Sequence, residues 1–377
     1  MIRMSQMIKS SKERTESKDT PVEKKPSAAS AQHTPPKSAD QSEFAIDVSD
    51  LARLMPDLID GAVEPAPEPE AEQPPEISPE RIRSSQVYGE VLQEIHGILD
   101  AVKRHELLAT EAIVSTAKRL IEELKQDDGL LQEVVQDREE EDYLSVNLIN
   151  VTIISIKIAL ELKYDENQLL ILALASLLHD LGMTVVPLEV INKARLTPEE
   201  LALIKRHPEE TKRILAELGG SLASLGEIAV QKQEREDGSG YPRGLKGDEI
   251  NEFAKVIGLA DTYEAMTHTR SHRQALVSYR ALKEVIDLRN QHFAPKIVKA
   301  LIDVVSIFPL GSLVRLNNGA IGRVVKTSRA HPMRPTLEIL MTARGDKPPK
   351  STFLHLEEEP MLYVTDPAVS YSEIPED

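Results

Sequence analysis

The chain has 377 residues, with 62 acidic and 45 basic side chains and a formal net charge of −17. A field of that sign repels polyanions, which argues against nucleic-acid polymers and anionic membranes as partners. The sequence contains no cysteine, so disulfides and thiolate metal sites are excluded.

The length favours two or three structural units. Residues 1–85 are rich in Ser, Pro, Glu and Lys and bury too little apolar surface to fold, so they read as a disordered tail. One island, "EFAIDVSDLARLMPDLIDG", places Ile46, Leu51, Leu54, Met55, Leu58 and Ile59 roughly on one helical face. It reads as a short helix over 44–59, either transient or a segment that folds on a partner. The first residues lack a signal pattern, and the longest apolar run, 169–178, is short for a bilayer span. The chain reads as cytoplasmic.

From Ser84 onward apolar residues recur every three or four positions, which predicts a helical lead-in over 86–140. "SVNLINVTIISIKIALELKY" has a wider apolar face, and "DENQLLILALASLLHDLGM" is apolar all round, as a central core helix must be. Two helix starts follow. Thr197-Pro198-Glu199-Glu200 combines an N-cap, a first-turn proline and a capping-box glutamate, and His207-Pro208 repeats the proline signal. Helical patterns continue to about 305. Short alternating runs then predict a small antiparallel β-unit over 306–366, with a hairpin turn at Asn317-Asn318-Gly319 and a tail over 367–377.

Chemistry-bearing residues cluster at the ends of apolar runs. His179-Asp180 ends the core helix, and charge beside such a helix is costly unless paired or metal-bound. Asp261 ends the run "VIGLAD". Taken singly, the first reads as a capped helix end, the second as a helix N-cap, and His207 as structural.

Together, "HDLG…HP…DGSGYPRGLKG…LADTYEAMTHTR" resembles the HD-GYP family, a branch of the HD-domain metal phosphohydrolases, over roughly residues 143–300. The resemblance implies a mainly α fold: an HD-type helical bundle over 141–305 with the lead-in and the β-unit as accompaniments. It also implies hydrolysis of cyclic di-GMP by bound metals that activate water and neutralise charge on phosphate. On the matching positions the metal ligands are His179, Asp180, His207 and Asp261. Asn147, Lys232 and Gln233 stand where the family has three further histidines, and Met183 replaces a lysine. An ammonium has donors only and cannot ligate. One divalent metal of the iron or manganese type, weakly held or absent, is what this reduced set implies.

Asp180 and Glu234 are the catalytic candidates. Tyr241, Arg270, Arg273 and Lys193 are the candidates for nucleotide contact, with guanidinium groups suited to phosphate. His272 stands where a tyrosine is common. Three readings stay open. The chain is a degenerate HD-GYP protein that binds cyclic di-GMP or protein partners, through the tail, the β-unit or a homodimer. Or it is a working phosphodiesterase with a single-metal site. Or the site binds nothing.

Overall fold

The computed structural model describes residues 79–134, 142–193, 195–268, 278–328, 331–367, 369 and 374. The helix expected over 44–59, the rest of the tail before 79, and Arg270, His272 and Arg273 lie outside the described residues.

Helix α1 (Pro79–Lys103) begins ahead of Ser84 and buries Tyr88, Val91, Leu92, Ile95, Leu99 and Val102, a stripe at helical spacing. Helix α2 (Thr110–Gln126) buries Ile113, Leu120, Ile121 and Leu124. Outside that contact Arg119 reaches Glu90 and Glu94 of α1, both at 2.9 Å. A short α3 (Gly129–Val134) follows.

Helix α4 (Tyr143–Glu161) starts at Asp142, whose side chain accepts from Ser145 N, and is buried from Ser145 to Ala159. Helix α5 (Glu166–Leu177) starts on a reciprocal capping box between Asp165 and Gln168. The stretches Tyr143–Glu161 and Glu166–Val185 are long and apolar enough to cross a membrane, but 83% and 61% of them are buried in the fold. They are the core against which the remaining helices pack. Lys157 lies inside α4, where its ammonium pairs with Asp128 and donates to Leu124 O.

Short helices α6 (Leu188–Ile191) and α7 (Pro198–Ile204) lead to α8 (His207–Leu218). The Thr197–Glu200 capping box forms as the sequence predicts, and α8 carries a proline in its first turn. Then come α9 (Gly226–Gln231), α10 (Glu252–Thr267), α11 (Ser278–Asp287) and α12 (Pro295–Val304).

The C-terminal unit is an antiparallel five-stranded sheet of order β4-β3-β2-β1-β5, with β1 Leu313–Leu316, β2 Ile321–Lys326, β3 Thr336–Met341, β4 Thr352–His355 and β5 Val364–Asp366. The predicted hairpin joins β1 to β2, and Gly319 supplies the positive φ of +88° that the turn needs. Val314, Leu316, Val324 and Leu337 join the apolar cluster of the helices, so the sheet packs onto the bundle. Tyr279 of α11 stacks on Phe308 just before β1, with ring centroids 6.2 Å apart.

Candidate functional site

The site lies where α5, α8, α10 and the segment after α9 converge. His179 and Asp180 follow the last turn of α5, and His179 is fully buried. Its Nδ1 is 2.7 Å from Ser176 O. A carbonyl can only accept, so Nδ1 carries the proton and Nε2 presents a lone pair. His207, first residue of α8, repeats the arrangement: Nδ1 is 2.7 Å from Ile204 O, and Nε2 is 3.2 Å from Asp180 Oδ1. Both Nε2 atoms are buried without a hydrogen-bond partner among the described residues.

Gly182 permits this meeting. A Cβ there would sit 2.0 Å from His207 O. Its N–H donates to Thr211 Oγ1 at 2.8 Å, and that hydroxyl donates to His207 O at 2.9 Å.

Lys232 follows α9 and has 0% exposure. Its Nζ lies 2.7 Å from Asp180 Oδ1 and 3.1 Å from Asp261 Oδ2. Asp261 sits well inside α10, not at a helix start, so the N-cap reading does not hold. Gln233 Nε2 donates to Asp261 Oδ2 at 3.3 Å. Asn147 Nδ2 faces Asp261 Oδ1 at 3.3 Å and Glu264 Oε2 at 2.8 Å. Asn147, Lys232 and Gln233 therefore aim donors at one carboxylate from two separate parts of the chain.

The charges follow from this packing. Burial works against ionisation of Asp180, but the Lys232 ammonium beside it outweighs that and holds the carboxyl below its usual range. Burial pushes the His179 imidazole down, and Lys232 adds to the effect. Burial likewise lowers His207. With both imidazoles neutral, two carboxylates against one ammonium leave Asp180, Asp261 and Lys232 with a summed charge of −1.

His179, Asp180 and Asp261 offer donor atoms within 4.8 Å of one another, a grouping able to hold a metal ion. Metal–oxygen bonds to carboxylates run about 2.0–2.2 Å. An ion bound by both aspartates would need the space that the Lys232 ammonium fills. As the chain stands, these residues do not fit a metal centre.

Beside the cluster lies the glycine loop. Glu234 is buried, and its two oxygens accept from Arg243 N at 2.7 Å and Leu245 N at 3.1 Å. Arg235 is buried over the Phe293 ring and donates to the carbonyls of Lys232 and Glu234 and to Gln233 Oε1. A Cβ on Gly240 would fall 2.4 Å from Glu234 Cα, so only glycine allows that approach. Tyr241 sets its ring edge-on to His207, centroids 6.4 Å apart, and Lys205 Nζ stands 5.2 Å from its centre. Burial pushes the Tyr241 phenol upward.

The structure thus brings His179, Asp180, His207, Asp261 and Tyr241 together. Lys193 is engaged elsewhere, paired with Glu200. Both oxygens of Glu234 are committed to the loop backbone.

Sequence reasoning passed over Lys205, Gly258 and Glu264. Gly258 lets α10 approach the segment after α9: a Cβ there would be 2.3 Å from Lys232 O. Glu264 anchors a buried polar chain, through Asn150, to Tyr88 of α1 and His268. Both stand three residues from Asp261 on the same helix, a spacing that could have flagged them.

A family model described as "HD domain" matches residues 106–297, half of the chain. The chain belongs to the HD-domain family. A second model, a KOW domain associated with HD domain, matches residues 313–374.

Among curated proteins, this HD-domain chain is 30% identical over 219 residues to a cyclic di-GMP phosphodiesterase of Pseudomonas aeruginosa, covering 58% of the chain and 53% of the relative. It is 26% identical over 201 residues to one of Borreliella burgdorferi, covering 53% of each, and 34% identical over 148 residues to one of Thermotoga maritima, covering 39% and 40%. The chain therefore spans about half the length, or less, of these relatives. Its fold is similar to that of an HDG"Y"P protein of Bdellovibrio bacteriovorus, with TM-score 0.50 and 18% identity over 68% of this chain and 78% of the other.

Proposed function

We propose that this HD-domain protein serves cyclic di-GMP signalling by binding and protein interaction, not by hydrolysis. The observation that carries this reading is Lys232, buried between Asp180 and Asp261 where a metal would have to sit. Hydrolysis of a phosphodiester in this family style needs water activated by a cation with open coordination positions. An ammonium has no such positions. Asn147 and Gln233 support the reading, since each turns a donor toward Asp261.

The cluster's charge of −1 does not attract an anionic nucleotide to its centre. Nucleotide contact then falls to Tyr241, Arg270 and Arg273, as the family resemblance implies. The link to cyclic di-GMP rests on the activity named for the relatives. Protein partners would engage the N-terminal segment or the β-unit, a second copy of the chain being one, and the setting is the cytoplasm.

One observation favours a second reading, a phosphodiesterase with a single-metal site: the donor grouping of His179, Asp180 and Asp261. A single preparation decides between them by metal analysis, calorimetry with cyclic di-GMP and a hydrolysis assay with added Mn2+ or Fe2+. Binding without turnover is expected. Turnover at ordinary enzymatic rates overturns the first reading. The triple change Asn147→His, Lys232→His and Gln233→His is expected to gain metal.

A further inference from the structure

We infer that Lys232 is a resident cation performing the structural task of a metal, and that it keeps closed a latent single-ion site made of His179, Asp180 and Asp261. This deepens the reading above, since both rest on the position of Lys232, but its test reads metal and stability instead of turnover.

The first observation is the state of the imidazoles. Each has Nδ1 fixed on a backbone carbonyl and Nε2 turned toward Asp180 with no hydrogen-bond partner among the described residues. The Nε2 atoms lie 3.6 Å and 3.2 Å from the two oxygens of Asp180. Lone pairs facing a carboxylate repel it unless a positive charge stands among them. Histidines pinned through one nitrogen with the other free are set up as ligands. Here Lys232 supplies the positive charge.

The second observation is that the ammonium is held in place from its backbone outward. Arg235 Nη1 donates to Lys232 O at 3.2 Å. Gly258 lets α10 close against that same carbonyl. The side chain is fully buried, and its Nζ contacts both aspartates. Swinging the side chain aside to admit an ion would break both Nζ contacts.

The third is charge. With the ammonium present the three charged side chains sum to −1, and a divalent ion added beside it would face a cation at close range. With the ammonium removed the sum is −2, matched by one divalent cation, and two carboxylates with the His179 imidazole form a set that suits Mn2+ or Zn2+. The chain is one substitution away from a metal site.

The test uses the full chain and Mn2+ and Zn2+ as probes. Wild-type protein is expected to bind neither ion and to melt at the same temperature with EDTA or with excess metal. Lys232→Ala, which opens space, is expected to melt lower, to bind one equivalent and to recover by roughly several degrees when metal is added. Lys232→Met removes the charge but fills the space, so it is expected to melt lower without recovery. Tightly held metal in the wild type, or a wild-type melting point that rises with Mn2+, overturns the inference. So does a Lys232→Ala variant that stays unfolded with metal present, because the three ready donors should then have bound an ion in place of the ammonium. Wild-type turnover without metal uptake would remove only the functional reading. Wild-type metal uptake without turnover would remove only this one.

Discussion

The glycine loop and the aspartate cluster share residues 232–235, yet different bonds hold them. The loop is braced through its backbone: Glu234 accepts from two of its N–H groups, and Arg235 ties down the carbonyls leading into it. The cluster is held by side-chain charge, with Lys232 between two aspartates. A loop fastened to the backbone does not depend on what fills the cluster. This explains how a glycine loop of family type can stand beside ligand positions occupied by Asn147, Lys232 and Gln233.

Unbalancing the cluster should leave the loop intact. Removing one partner of a buried ion pair costs about 3–5 kcal/mol. Lys232→Met is therefore expected to lose about that much stability in urea titrations at neutral pH, by the same principle. Adding Asp180→Asn should restore more than half of the loss, because Asp261 keeps its donors from Asn147 and Gln233. Protease cleavage within 238–246 should stay at the wild-type rate. Faster cleavage there in Lys232→Met would mean that the loop does depend on the cluster.

The converse variant is Glu234→Ala. Two N–H donors lose a charged acceptor, and hydrogen bonds to charged groups are worth about 1.5–3 kcal/mol each before water replaces them. A net loss of about 2–3 kcal/mol is expected, together with faster proteolysis of the loop and unchanged indifference to Mn2+. Gly238→Ala acts more weakly. Gly238 has φ +79°, and an added Cβ would fall 2.3 Å from Lys246 Cε and 2.7 Å from its Cγ, so that side chain must shift. The left-handed conformation costs a non-glycine residue about 1–2 kcal/mol, which sets the expected loss.

Much of this was legible in the sequence. The capping box at Thr197, the proline start at His207 and the Asn317-Asn318-Gly319 hairpin are local signals, and each forms where its residues predict. The convergence at Asp261 was not legible. Asn147 lies 114 positions away, and no local rule says which atom of an amide faces a carboxylate across that distance. Glu234 is a catalytic candidate in the sequence through its match to the family motif. Its partners, the N–H groups of Arg243 and Leu245, come from a loop geometry that composition does not encode. Lys193 matched a position by pattern, yet Glu200, seven residues on, holds it.

The smallest effect is the pH dependence. Burial lowers the folded-state pKa of His179 and of His207, so the unfolded chain binds these protons more readily. Stability from the neutral imidazoles is thus complete above the unfolded value, about 6.5, and falls as pH drops below it. The pairing of Asp180, also lowered, is lost only in stronger acid, below about 3.9. Lys232 contributes to lowering both histidines. In Lys232→Met that contribution is gone, and a protonated imidazole beside Asp180 becomes a favourable partner. The variant's deficit should therefore shrink between pH 7 and pH 5. Glu234→Ala, whose lost bonds involve no imidazole, should keep a constant deficit over the same range. Parallel stability curves for wild type and Lys232→Met would show that the ammonium does not set the protonation of its neighbours, and the electrostatic half of the comparison would fall.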